Sequence, residues 1–288
     1  MTQELKVGVV GGSGLYDLDG LSDLDQVTLS TPFGAPSDAY LCGTLGETEV
    51  VFLPRHGVGH RISPTEINSR ANIWGLKQLG VTHVLSVSAV GSLREEIVPG
   101  HFVVVDQFID RTRHRPDTFF GEGVVAHVMF ADPVCPVMRS KLVESANSLG
   151  ITVHDGGTYL NMEGPQFSTR AESLIWRELG CDVIGMTALT EARLAREAEL
   201  AYASLNLVTD YDAWRPEERG VDAAEIMAVL NDNAHVGKEV LRQAVSYIPE
   251  RRLPENDVLK NALITPLELV PLATKEKLAA ILAPYLLS

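Results

Sequence analysis

The stretch Val7-Gly8-Val9-Val10-Gly11-Gly12-Ser13-Gly14-Leu15-Tyr16-Asp17 runs from an apolar, β-branched segment straight into a glycine-rich turn. A short apolar run closed by glycines opens an α/β unit, in which strands alternate with helices. Glycines here let backbone N–H groups approach an anion, and the Ser13 hydroxyl adds a donor. A tight turn that holds nothing explains the same glycines. The spacing matches neither G-x-G-x-x-G nor G-x-x-x-x-G-K-[ST]: Asp17 stands where the last glycine of a dinucleotide loop belongs, and no lysine follows. A Rossmann dehydrogenase is therefore disfavoured.

Working outward, Val50 to Leu53, His83 to Val87, Phe102 to Val105, Asp182 to Gly185 and Tyr202 to Val208 repeat the apolar strand pattern. Helical signals lie between them. Ser63-Pro64-Thr65-Glu66 predicts a capped helix start that Gly80 closes. A second helix is expected from Ser168-Thr169, with Glu172 in its first turn, to just before Gly180. A long one is expected from about Val221 to Tyr247, where Ile226, Met227, Val229 and Leu230 recur at helical spacing. The predicted architecture is one α/β domain over residues 1–250, with a C-terminal helical appendage over 251–288. The Leu- and Pro-rich tail from Lys260 to Leu287 is expected to pack on the domain or on another subunit.

With 288 residues and 45% hydrophobic content the chain has enough apolar material for a full core. Its net charge of −14 argues against nucleic acid and anionic membranes as partners. An anionic ligand must then be held by a local set of N–H groups and a few cations. Cys42, Cys135 and Cys181 have no C-x-x-C spacing, so they read as buried thiols of a reducing compartment. The N-terminus has no signal-peptide pattern and no 18-residue apolar run occurs, which predicts a cytoplasmic protein. Neither G-x-S-x-G nor H-E-x-x-H is present, and covalent and metal catalysis lose ground accordingly.

Four further motifs end strands or begin helices, and each also has a purely structural explanation. Pro54-Arg55-His56-Gly57 puts two cationic types beyond a strand's carboxyl end, well placed to neutralise a phosphate, or else forming a surface ion pair. Ser86-Val87-Ser88-Ala89-Val90-Gly91-Ser92 supplies small residues that let the backbone at Ala89 face a ligand while Ser88 donates to it. In Asn161-Met162-Glu163-Gly164-Pro165-Gln166-Phe167-Ser168, Phe167 is suited to stacking on a flat heterocycle and Glu163 to accepting from hydroxyls. Thr209-Asp210-Tyr211-Asp212 sets two carboxylates two residues apart. If the strand continues, they share a face and one pKa rises, giving a general acid.

Taken in order, these motifs, together with Thr31-Pro32-Phe33-Gly34, Asn72-Ile73-Trp74, Gly91-Ser92-Leu93-Arg94-Glu95-Glu96 and Asp106-Gln107-Phe108-Ile109-Asp110-Arg111-Thr112, resemble the trimeric purine nucleoside phosphorylase family. The likeness spans roughly residues 7–245 and is strongest to its branch acting on 5′-methylthioadenosine. The resemblance implies a mixed central sheet, drawn into a distorted barrel and flanked by helices, and a homotrimer. It implies inorganic phosphate as co-substrate with a purine nucleoside, and neither metal nor organic cofactor. By resemblance, Ser13, Arg55, His56, Ser88, Ala89 and Thr187 contact phosphate. Phe167, Met186, Asp210 and Asp212 contact the nucleoside, with Met186 against the ribose. Asp210 is the expected acid toward purine N7, and Asp212 the acceptor for a 6-amino group.

Ser168, Ala223 and Ile226, with His127 nearby, align with the positions that choose the 5′ substituent; alanine and isoleucine there suggest an apolar pocket. The competing expectations are a 6-oxopurine phosphorylase and a nucleoside-binding protein without turnover. Retention of Arg55, His56, Asp210 and Asp212 together speaks against the second.

Overall fold

In a computed structural model that describes residues 5–12, 20–216 and 221–286, the opening apolar run is the central strand β1 (Lys6–Gly11). It is followed by β2 (Ser22–Val27), β3 (Tyr40–Leu45), β4 (Thr48–Pro54), α1 (Ser69–Gln78), β5 (His83–Ser92), β6 (Phe102–Val104), β7 (Gln107–Arg111) and α2 (Pro136–Ser148). The second half comprises β8 (Val153–Asp155), β9 (Thr158–Met162), α3 (Arg170–Glu178), β10 (Val183–Gly185), α4 (Ala188–Glu197), β11 (Ala201–Asp210) and α5 (Ala223–Tyr247). The tail contributes α6 (Leu272–Lys277) and α7 (Ala279–Leu286). Each predicted strand is present. β2, β3, β7, β8 and β9 carry no pure apolar run, which is why the sequence pattern passes over them.

Among the described residues the strands form one mixed sheet. The path β2-β3-β4-β1-β5-β10-β9-β7 branches at β5, which also pairs in parallel with β11. β1 pairs with β5 only as far as Val10 against Ser86, and β10 takes up the same strand again at Gly91 and Ser92. From Val87 to Val90 the strand is therefore paired along β11 alone. That gap faces Gly12, which directly follows β1.

Side chains of the central strands alternate between two covered faces, as the period of two requires. Val7, Val9, Val50, Phe52 and Leu85 pack with Met138 and Leu142 of α2 and Val240, Leu241 and Ala244 of α5. Val10, Val51, Leu53 and Val84 pack with Ile73 and Leu76 of α1 and Ala192 and Ala195 of α4. Fully burying a Val or Leu contributes about 1.5–3 kcal/mol, so these two layers dominate the stability of the sheet.

The tail closes over the second layer, where Leu259, Val270, Leu278, Ile281 and Leu282 are buried on this chain's own core. Glu199 accepts from the Leu259 N–H and from the Tyr285 hydroxyl, tying both ends of the tail to the turn after α4. Among the described residues no helix is long and apolar enough to cross a membrane.

Two helix boundaries show what local chemistry decides. Glu66 does reach back to Ser63, accepting from its N–H and its hydroxyl, but on a single 3₁₀ turn at Pro64–Glu66. Ile67 is extended and Asn68 caps the true helix by accepting from the Ala71 N–H, so α1 starts at Ser69 and not at Ser63. At α3 the Thr169 hydroxyl accepts from the Glu172 N–H while Glu172 reaches back to the Thr169 N–H, as the sequence pattern predicts.

Candidate active site

Beyond the carboxyl ends of β1, β4, β5 and β11 lies a cavity of about 540 Å³. Gly12, Arg55, His56, Ser88, Ala89 and Thr187 line it, and so do Met186, Asp210, Asp212 and Phe167. Strand ends are where open α/β sheets gather ligands, because backbone groups released from the ladder and the following turns converge there.

At one end Arg55 is 1% exposed and directly follows β4, its backbone N–H bonded to the Gly11 carbonyl at 2.9 Å. Its Nε and Nη2 donate to the two carboxylate oxygens of Glu191 on α4, Nη2 also donates to Ser86 Oγ at 2.7 Å, and Nη1 donates to the Val87 carbonyl at 2.9 Å. The cation is thus anchored in the unpaired edge of β5. Glu191 holds the guanidinium's pKa above its usual value, against burial, so it stays charged. A Cβ at residue 12 would meet both Arg55 Nη1 and the Val87 carbonyl at 2.9 Å, which explains glycine at that point of the turn.

His56 behaves differently from the expected phosphate-neutralising cation. Its Nδ1 lies 2.8 Å from the Ile62 carbonyl, which only accepts, so Nδ1 carries the hydrogen. Burial, reinforced by the neighbouring Arg55 charge, lowers its pKa to about 4, and the imidazole is neutral at pH 7. His60 stacks on it with centroids 4.1 Å apart. Ser88 Oγ is buried with no hydrogen-bond partner among the described residues, a donor left for a ligand. Thr187 stands at the N-cap position of α4, so that helix's positive end also faces the cavity. Ser13 lies outside the described residues.

At the other end β11 stops at Asp210, so the expected two-residue alternation along a strand does not hold. Asp212 instead has a positive φ of 49° and its N–H donates to Asp210 Oδ1 at 2.7 Å. The Thr209 hydroxyl donates to Asp210 Oδ2 at 2.7 Å. Asp212 is the more buried of the two, and its Oδ2 has no hydrogen-bond partner among the described residues. Burial raises its pKa above the carboxylate norm, opposed by the Ser173 hydroxyl, the Ala213 N–H and the Ser168 hydroxyl. Burial thus sets the carboxyl of Asp212 apart, while Asp210 is held by the Thr209 hydroxyl and the Asp212 N–H. Gly91 makes room for the pair, since a Cβ there would come within 3.0 Å of Asp210 Oδ1.

Met186 and Phe167 border the space between the two ends. Arg115 donates to the Met186 carbonyl and to the Glu163 carbonyl and carboxylate. Glu163 also accepts from the Thr65 hydroxyl and the Arg113 N–H. That carboxylate is spent on loop anchoring and does not line the cavity, contrary to its expected role toward substrate hydroxyls. A face of α5 closes the third side with Ala223, Ile226, Met227 and Leu230, an i, i+3, i+4, i+7 stripe. Ser168 sits behind Asp212 and is not part of the lining. His127 is exposed, its N–H bonded to the Ala262 carbonyl of the tail, and it does not line this chain's cavity.

Sequence reasoning missed Glu191, Gly12 as a steric contact, and the rim residues His60 and Arg61. Glu191 meets Arg55 across 136 residues, and no local pattern announces such a pair.

The family model described as the phosphorylase superfamily matches residues 6–246. An S-methyl-5′-thioadenosine phosphorylase of Geobacter sulfurreducens is 53% identical over 98% of this chain and 99% of its own. One from Hyperthermus butylicus is 50% identical over 91% of this chain and 94% of its own. Among solved structures, a methylthioadenosine phosphorylase from an antarctic soil metagenomic library superposes with a TM-score of 0.92 at 45% identity, covering 97% of this chain and 99% of that one. The methylthioadenosine phosphorylase of Schistosoma mansoni in complex with adenine superposes with a TM-score of 0.80 at 41% identity, covering 84% of this chain and 91% of that one.

Proposed function

The chain belongs to the phosphorylase superfamily, and we propose that it cleaves the N-glycosidic bond of 5′-methylthioadenosine with inorganic phosphate, releasing adenine and 5-methylthioribose 1-phosphate. It is a pentosyltransferase. The observation that carries this reading is the single cavity bounded by Arg55, Ser88 and the α4 N-terminus at one end and by Asp210 and Asp212 at the other.

Phosphate is a weak nucleophile, so the C1′–N9 bond must weaken while the anion waits beneath the sugar. A phosphate oxygen forms the new bond to C1′, and the electrons of the broken bond pass to the purine, which takes a proton at N7. The phosphate end supplies fixed donors from Arg55, Ser88 and the N-terminus of α4, in place already before charge develops. His56 contributes as an acceptor: with Nδ1–H committed to Ile62, its remaining nitrogen accepts a hydrogen bond from a P–OH group. At the base, the acidic pair serves as proton source and as acceptor for the 6-amino group, with the half-buried Asp210 toward N7 and the buried Asp212 toward the amino group. A 6-oxo group would set lone pairs against the same carboxylate oxygens. The stripe on α5 suits a methylthio substituent better than a hydroxyl.

The relatives' names support the substrate, and a related S. mansoni protein was solved with methylthioadenosine bound. Phosphate as the only co-substrate and a homotrimeric cytoplasmic enzyme complete the proposal. Steady-state adenine release from 5′-methylthioadenosine, with phosphate varied, tests it. Saturating dependence on phosphate is expected. Faster hypoxanthine release from 5′-methylthioinosine, or base release indifferent to phosphate, would overturn it.

A further inference from the structure

Arg55 meets its ligand already paired. Of the five N–H groups of a guanidinium, the Nε hydrogen goes to Glu191, both Nη2 hydrogens go to Glu191 and Ser86, and one Nη1 hydrogen goes to the Val87 carbonyl. Among the described residues this leaves one N–H, on the Nη1 that borders Gly12. Glu191 is itself fixed: its Oε2 accepts from Ser86 Oγ at 2.8 Å and from the Tyr202 hydroxyl at 3.3 Å, and the carboxylate is buried. It does not line the cavity.

We propose that Glu191 is a positioning residue for phosphorolysis: by occupying the Nε and Nη2 edge of Arg55 it aims the remaining Nη1 hydrogen at the phosphate, and so sets phosphate affinity without touching substrate. This rests on the phosphorolysis reading above. A long arginine side chain loses rotamer freedom when it binds, and a partner that has already fixed it removes that cost from the binding step. The bidentate pair also offsets most of the cation's field. The anion is then selected by the direction of one N–H and by neutral donors such as Ser88, more than by net charge.

Glu191→Gln keeps the volume but turns one acceptor oxygen into an NH₂ facing arginine N–H groups, which breaks the two-point grip. Glu191→Asp keeps the charge and withdraws it by one methylene. With adenine release as the assay, Glu191→Gln is expected to raise the phosphate KM about tenfold while the KM for 5′-methylthioadenosine moves less than about twofold. Glu191→Asp is expected to recover part of that loss. In an Arg55→Ala background Glu191→Gln should add less than about twofold, because the effect passes through Arg55.

If Glu191→Gln does not fold, the Asp variant carries the same comparison. An unchanged phosphate KM, equal rises in both KM values, or full additivity with Arg55→Ala would each overturn the proposal. Should the wild type release no adenine, phosphorolysis is what fails. Calorimetric titration of inorganic phosphate into wild type and variant then decides the positioning role, with weaker binding in the variant expected and equal binding overturning it.

Discussion

The backbone N–H of Asp212 donates to Asp210 Oδ1 at 2.7 Å, so the second carboxylate residue orients the first through its main chain while its own carboxyl is buried. Neither side chain is replaceable by the other. Asp210→Asn is expected to lower kcat by about a hundredfold or more, the range for losing a general acid, and Asp212→Asn to lower kcat/KM for 5′-methylthioadenosine by about tenfold, through the lost acceptor for the 6-amino group. The phosphate KM should change far less, because the phosphate donors sit at the cavity's other end. A variant that loses phosphate affinity in step with kcat would contradict this division of labour.

Gly91 offers a way to disturb the pair without removing it. Its added Cβ would stand 3.0 Å from Asp210 Oδ1 and 3.1 Å from Ile184 Cγ2. Gly91→Ala is expected to reduce kcat with adenosine substrates by about tenfold or more, through displacement of the carboxyl. Melting temperature should fall modestly, since the neighbours are side chains able to shift. Wild-type kcat in this variant would show that the carboxyl's position is not critical.

Much of this arrangement was legible in the chain. The apolar runs gave six strands of the central sheet, and Thr169 with Glu172 gave the start of α3. Gly12, Arg55-His56, Ser88 and the aspartate pair marked the strand ends that face the cavity. What sequence spacing does not encode is the long-range pairing. Glu191 is read only once α4 lies across the sheet. The protonation of His56 depends on Ile62 carbonyl placement, and the branch at β5 arises from where β1 stops and β10 begins. Edge strands such as β2, polar on both faces, leave no periodic trace.

A buried imidazole makes the fold acid-sensitive. His83 is 1% exposed, its Nδ1 is 2.7 Å from Thr82 Oγ1, and its Nε2 has no hydrogen-bond partner among the described residues. Burial lowers its pKa from 6.5 to about 4. The unfolded chain therefore binds this proton more readily than the folded one. The contribution to stability is present above pH 6.5 and is lost as pH falls toward about 4, amounting to about 3 kcal/mol at 1.36 kcal/mol per pKa unit. Denaturant unfolding of wild type and His83→Leu across that window should show the variant gaining on the wild type as pH falls. Parallel curves would refute the assignment.

The α5 stripe is expected to govern the 5′ substituent. Ile226→Asn introduces a hydrogen-bonding group into an apolar wall, and should shift the ratio of kcat/KM for 5′-methylthioadenosine over adenosine by about tenfold toward adenosine. Competition between the two nucleosides measures it. An unchanged ratio would remove Ile226 from the substituent's surroundings.

Arg55, Ser88 and Asp210 ride on the ends of strands locked to one another by the ladder, whereas Ala223, Ile226, Met227 and Leu230 ride on one helix that reaches the sheet only through side-chain packing. On the proposed roles, bond breaking and choice of nucleoside fall to separately supported parts of the fold. Substitutions on the helix can redirect the enzyme toward other 5′ groups while the distance between anion and departing base stays fixed, which makes this face the natural place for selection, or an engineer, to work.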